Sequence, residues 1–154
     1  MSLFKHLSLL FILFFMGACF STDKQAKKDI VVPNKISILF VTQPHCPSCN
    51  KLEKAMQFKK PKALLDKYFK ITKLYYGEKF PDGLPPPNGT PTVYFLGADN
   101  ELLVEPMIGE KTEQALMEFL EDALYEFKNI YHIDLIEKYK ENNESNTTQF
   151  SATA

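Results

Sequence analysis

"QPHCPSCNK", residues 43–51, decides how this 154-residue chain is read, because it sets Cys46 and Cys49 two residues apart directly behind an apolar run. That run, "KISILFV" at 35–41, is β-branched and aromatic with nearly every position apolar, which predicts a buried strand. Gln43-Pro44 ends it. From Pro47 the pattern turns helical, with Leu52, Ala55, Met56 and Phe58 on one face, and Pro47 suits the first helical position, where no intrahelical N–H bond is needed. Cys46 therefore falls between a strand end and a helix start. Unpaired N–H groups and the helix dipole favour negative charge there, which lowers a thiol pKa and raises the population of the nucleophilic thiolate. Cys49, one helical turn on, is within reach of a disulfide with Cys46. The residues alone leave three chemistries open: a dithiol that passes electrons, an inert disulfide staple, or metal ligation with His45 as a third donor. A closed zinc site wants four ligands, and the sequence has no second CxxC and no HxxxH.

Downstream, Pro61 starts a second short helix through Tyr68, with Ala63, Leu64, Leu65 and Phe69 facing inward. "KITKLYY", 70–76, reads as a strand. "GEKFPDGLPPPNG", 77–89, holds three Gly and four Pro and reads as a loop, its "PPP" a stiff spacer. "TPTVYFL", 90–96, is a strand, "GADN" a hairpin turn and "ELLVEPMI", 101–108, its partner, closed by Gly109. From the N-cap Thr112, Ala115, Leu116, Phe119, Leu120, Ala123, Leu124 and Phe127 recur at helical spacing. Residues 129–140 prolong that helix or add another, with His132 as a surface residue, and the polar end at 141–154 reads as disordered. A strand and the next joined through helices predict a parallel pair, and the hairpin predicts an antiparallel one. The expected class is α/β: a central mixed sheet flanked by helices on both faces.

"PHCPSC" after a strand, together with "GTPT" opening a later one, resembles the thioredoxin superfamily over residues 34–128, and most of all its exported, thioredoxin-related subset. The resemblance implies a thioredoxin-like fold and thiol–disulfide exchange, with no cofactor beyond the redox-active disulfide and no metal. It makes Cys46 the nucleophile and Cys49 the resolving thiol. It makes Thr90-Pro91 a cis-proline dipeptide facing the thiols, where the bound partner's chain pairs, and it places His45, Pro47 and Ser48 as supporting residues. It also implies that the Cys46 sulfur lies open to solvent at the helix tip, facing Pro91. The chain departs from the family pattern at two positions: His45 stands where thioredoxin has Trp, and Phe40 where it has a buried acid, leaving water or Lys73 to handle protons. Lys51 and Lys54 read as a solvated helix face that extends a positive field near the thiols only secondarily.

The start of the chain reads as a leader. Lys5 precedes the apolar Leu7–Phe15, and small residues lead to Cys19. The apolar run is short for a bilayer-spanning helix, which needs ~20 residues. "MGAC", 16–19, resembles the lipobox of bacterial lipoproteins, which implies a signal peptide at 1–18, lipid attachment at Cys19 and a tether through residue 33. A plain secretory signal and an uncleaved anchor are the alternatives. The expectation is an exported protein on the periplasmic side of a bacterial membrane, where disulfides persist. Its partners would be protein thiols and disulfides, with a membrane redox partner that recharges it. A formal charge of −1, with all 18 basic residues lysine, speaks against a nucleic-acid role. Two functions stand at this point: an oxidoreductase leaning to reduction, and a binding module of the same fold without redox turnover.

Overall fold

The computed structural model describes residues 31–140. The leader, Cys19, all but the last residues of the tether, and the 141–154 tail lie outside the described residues. Strand β1, Ile36–Thr42, is the spine of the sheet. Its side chains alternate, so Ile36, Ile38 and Phe40 enter one core while Leu39 and Val41 enter another on the opposite face. Helices α1, Pro47–Met56, and α2, Lys59–Tyr68, lead to β2, Phe69–Tyr75, which pairs parallel to β1 from Ile36↔Phe69 to Thr42↔Tyr75. Strand β3, Thr92–Leu96, runs antiparallel to β1, and the two-residue β4, Met107–Ile108, antiparallel to β3. Helix α3, Glu113–Tyr131, follows. The sheet order is β2-β1-β3-β4, a mixed sheet with β1 and β3 inside.

The break between α1 and α2 has a specific cause. Pro61 has no N–H to donate to the carbonyl of residue 57, and its ring crowds that carbonyl, so the first helix stops at Gln57 and a new one starts with Pro61 in its first turn. Helix α1 buries Cys49, Leu52, Ala55 and Met56; α3 buries Leu116, Leu120, Ala123, Leu124 and Phe127. Fully burying such aliphatic and aromatic side chains contributes roughly 1.5–3 kcal/mol each, so these stripes, and not helix propensity, hold the helices on the sheet. Thr112 caps α3 by accepting the N–H of Ala115 at 3.2 Å. His132, exposed and left-handed at φ 57°, ends it. Asp134 then caps a further helical turn, accepting the N–H groups of Ile136 and Glu137. The Lys128 ammonium bound to Asp134 at 2.8 Å, aided by those N–H groups, holds its carboxyl below the ordinary carboxylate value.

Four expectations differ in detail. All helices of the described residues pack into the core on one face of the sheet, through Leu52, Leu65, Leu120 and Leu135 among others. The second face, where a helix was expected, is covered by the 76–91 segment, whose Phe80 and Leu84 pack on Leu39, Val41, Tyr94 and Leu96. The hairpin partner expected over 101–108 contracts to β4 and a single bridge, Leu96↔Leu102, because Pro106 cannot donate to a ladder. On the two short helices the buried residues include Pro61 and Tyr68, while Ala63 and Phe58 face solvent.

Tyr131 ties the end of α3 back to the sheet. Its hydroxyl accepts the N–H of the buried Ala98 at 2.7 Å and donates to the Glu101 carboxylate, fastening the β3–β4 turn to the end of α3. Gly97 leaves room for that hydroxyl, since a Cβ there would collide with it. Tyr131→Phe strands the Ala98 N–H, and urea unfolding is expected to show a loss of about 1–3 kcal/mol with an unchanged denaturant slope.

Candidate active site

The site forms where β1 leaves the sheet. Gln43, Pro44 and His45 are exposed, and His45 takes a left-handed conformation, φ 57°, that turns the chain sharply into Cys46. Cys46 is the N-cap of α1, with extended backbone angles, and Pro47 occupies the first helical turn as expected. The Cys46 sulfur accepts the backbone N–H of Cys49 at 3.1 Å, so it does the work that a Ser or Asp side chain does at other helix starts. Cys46 and Cys49 are joined by a disulfide, with their Cα atoms 5.2 Å apart. The first turn of α1 carries no acid, so nothing there neutralises the positive end of the helix.

The opposite wall comes from the start of β3. The Thr90–Pro91 peptide bond is cis, and the Thr90 hydroxyl lies 3.6 Å from the Cys46 sulfur. Two bonds that the sequence did not announce hold this wall. The Gly109 N–H donates to the Pro91 carbonyl at 2.8 Å, and the Thr92 hydroxyl donates to the Gly89 carbonyl at 2.8 Å. A tertiary partner such as Gly109, eighteen residues on, leaves no local signal.

The sulfurs are less open than expected. Cys46 keeps 5% of its surface and Cys49 1%, and both belong to the main core cluster. The cause is the N-cap geometry, which turns the Cys46 side chain back over the first turn of α1, toward the Cys49 N–H and under Thr90. The exposed surface around it belongs to His45 and Pro47, with Ser48 half-buried. His45 makes no side-chain hydrogen bond or ion pair among the described residues, and no group of three or more His, Cys, Asp or Glu side chains is gathered there to hold a metal ion. Phe40, where the sequence resemblance led to the expectation of a buried acid, is fully buried, and Lys73 lies 5.8 Å over its ring while pairing with Glu53 of α1 at 3.0 Å. Lys51 is held by Glu110 at 3.0 Å, which links α1 to the segment after β4.

No family model matches the chain and no curated relative matches it. Two of the solved structures similar to it are the following. One is a disulphide isomerase from Xylella fastidiosa Temecula1, 22% identical, with a TM-score of 0.45 over 57% of this chain and 77% of that one. The other is a thioredoxin from Thermus thermophilus, 20% identical, with a TM-score of 0.43 over 56% of this chain and 72% of that one. The observed arrangement is itself a thioredoxin-like fold: a parallel β1–β2 pair joined through helices, an antiparallel β3–β4 pair, a closing helix, and a Cys-x-x-Cys disulfide opposite a cis proline.

The Thr90 contact makes a measurable prediction. In the reduced protein the hydroxyl is placed to donate to a Cys46 thiolate, and a hydrogen bond to a charged group is worth about 1.5–3 kcal/mol. Thr90→Val removes it, so the Cys46 thiol pKa rises and the reduced state loses stability. The couple is expected to become more reducing by about 30–60 mV, since about 30 mV corresponds to ~1.4 kcal/mol for two electrons. Thr90→Ser should hold the original potential.

Proposed function

We propose that the chain is a thiol:disulfide oxidoreductase acting outside the cytoplasm, anchored by lipid on Cys19 at the periplasmic side of a bacterial membrane and working as a reductant. The observation that carries the redox reading is the Cys46 sulfur at the N-cap of α1, bonded to Cys49 and faced by Thr90-Pro91. The chemistry balances without a further cofactor. In the reduced protein the Cys46 thiolate attacks one sulfur of a substrate disulfide, a mixed disulfide forms, and the other substrate sulfur leaves as a thiolate and takes a proton. Cys49 then loses its proton and attacks the Cys46 sulfur. That step breaks the mixed disulfide, closes Cys46–Cys49 and releases the second substrate thiol, so two electrons have passed. Recharging calls for a dithiol donor, and a membrane redox partner fits the proposed anchor.

The small exposure of Cys46 favours a second reading, in which the disulfide locks a binding module that does not turn over. One set of measurements separates the two. Full chain reduced with dithiothreitol should reduce a protein disulfide, Cys46→Ser should be inactive, and Cys49→Ser should accumulate the mixed disulfide, seen as a mass increase on non-reducing gels. Equal rates for wild type and Cys46→Ser would establish the binding module instead. Titration against glutathione buffers sets direction. The reductant role predicts a potential nearer about −270 mV than about −120 mV, and a value at the oxidising end reverses the direction.

A further inference from the structure

Charge is divided between the two halves of the fold. Residues 35–79 carry ten lysines and three acids, whereas residues 82–126 carry ten acids and one lysine. The first half builds β1, α1, α2 and the β2 edge; the second builds β3, the β4 edge and most of α3. Charge is therefore uneven along the chain, while in space α3 packs beside α2 and its Glu113, Glu118 and Glu121 share a groove with Lys60, so the basic surface centres on Lys54 and Lys59. On the basic side the junction of α1 and α2, "KAMQFKKPK" at 54–62, turns Phe58 outward, 49% exposed, with Lys54, Lys59 and Lys60 exposed beside it. These three lysines make no ion pair among the described residues. Gln57, next in the chain to Phe58, lines one groove with Ile71 of β2, 42% exposed, and with two ion pairs, Lys62–Asp66 and Lys73–Glu53, so the groove itself is balanced in charge.

We propose that this corner is a docking surface for an anionic lipid bilayer, with Phe58 entering the interface and the lysines around it meeting the headgroups. Lysines near a negatively charged leaflet each add to binding, and an aromatic residue set among them adds apolar burial at the headgroup boundary. Long lysine stems let the ammonium groups reach phosphate while the ring goes deeper. An acidic protein is the less fitting partner: protein interfaces favour Arg and are depleted in Lys, and every basic residue of this chain is Lys. The corner lies a helix length, about 15 Å, along α1 from Cys46, so it is a surface separate from the disulfide. The contact requires neither lipid on Cys19 nor redox turnover.

The chain has no tryptophan, which makes Phe58→Trp a single-site reporter in the full-length protein. Its fluorescence is expected to shift to the blue with vesicles of phosphatidylglycerol and phosphatidylcholine in equal parts, and to return in 0.5 M salt. Pure phosphatidylcholine vesicles should leave it unchanged. Adding Lys59→Glu and Lys60→Glu should raise the lipid needed for a half-maximal shift about tenfold or more. Tyr125→Trp, on the exposed acidic side, is the control and should not respond. No shift at position 58, an equal shift at 125, or the same shift with neutral vesicles overturns the proposal. A shift with soluble poly-glutamate in the absence of one with anionic vesicles also overturns it and assigns the surface to an acidic protein.

Discussion

Strand β1 has no solvent-facing side. Ile36, Ile38 and Phe40 are buried under the helices, and Leu39 and Val41 under the 76–91 segment, with neighbours hydrogen-bonded along both edges. The strand is fixed in register from both sides, because a slip of one residue would exchange the two cores. It therefore delivers the chain at Thr42 to one defined point outside the carboxyl end of the sheet. The left-handed turn at His45 and the helix start at Pro47 place the Cys46 sulfur from there. The site is accurate because the strand behind it has no freedom.

The second wall of the site depends on the face that the 76–91 segment covers. The 76–91 segment is pinned by Phe80 against Tyr94, with ring centroids 5.4 Å apart, and by the Tyr94 hydroxyl donating to the Pro85 carbonyl at 2.9 Å. Its last residues are Gly89, Thr90 and cis Pro91. Packing on one face of the sheet thus positions the hydroxyl that meets a sulfur held from the other face. A loop rich in Pro and Gly suits this role, since proline lowers the entropy lost on fixing it and Gly77, Gly83 and Gly89 supply positive φ angles where it bends.

Much of this was legible in the sequence because the signals were local. The apolar run at 35–41, the helical stripe at 115–127 and the Cys-x-x-Cys behind a strand each report on their own few residues, and each appears within a residue or so of the expected place. What sequence reading missed is tertiary. Pro61 was read as a helix start, but its burial depends on how α2 lies against the core. The Gly109–Pro91 and Tyr131–Ala98 bonds join residues far apart in the chain. The low exposure of Cys46 follows from the N-cap rotamer, which spacing alone does not set. The loop character of 77–89 was legible from its Gly and Pro content, but that this loop covers the second face of the sheet was not, because that depends on Phe80 and Leu84 packing on residues of β1 and β3.

The same geometry explains how the site manages without a buried acid. Phe40 offers no proton acceptor, and the Lys73 ammonium beside it is committed to Glu53, a pair that is partly exposed and so worth at most about 1 kcal/mol. Charge on sulfur is left to fixed dipoles: the Cys49 N–H, the uncompensated start of α1 and the Thr90 hydroxyl. Those groups converge on Cys46, the N-cap sulfur. Cys49 lies inside the first turn, 1% exposed, with its N–H donated to the Cys46 sulfur. The groups able to favour negative charge thus meet at one sulfur of the pair, the N-cap sulfur.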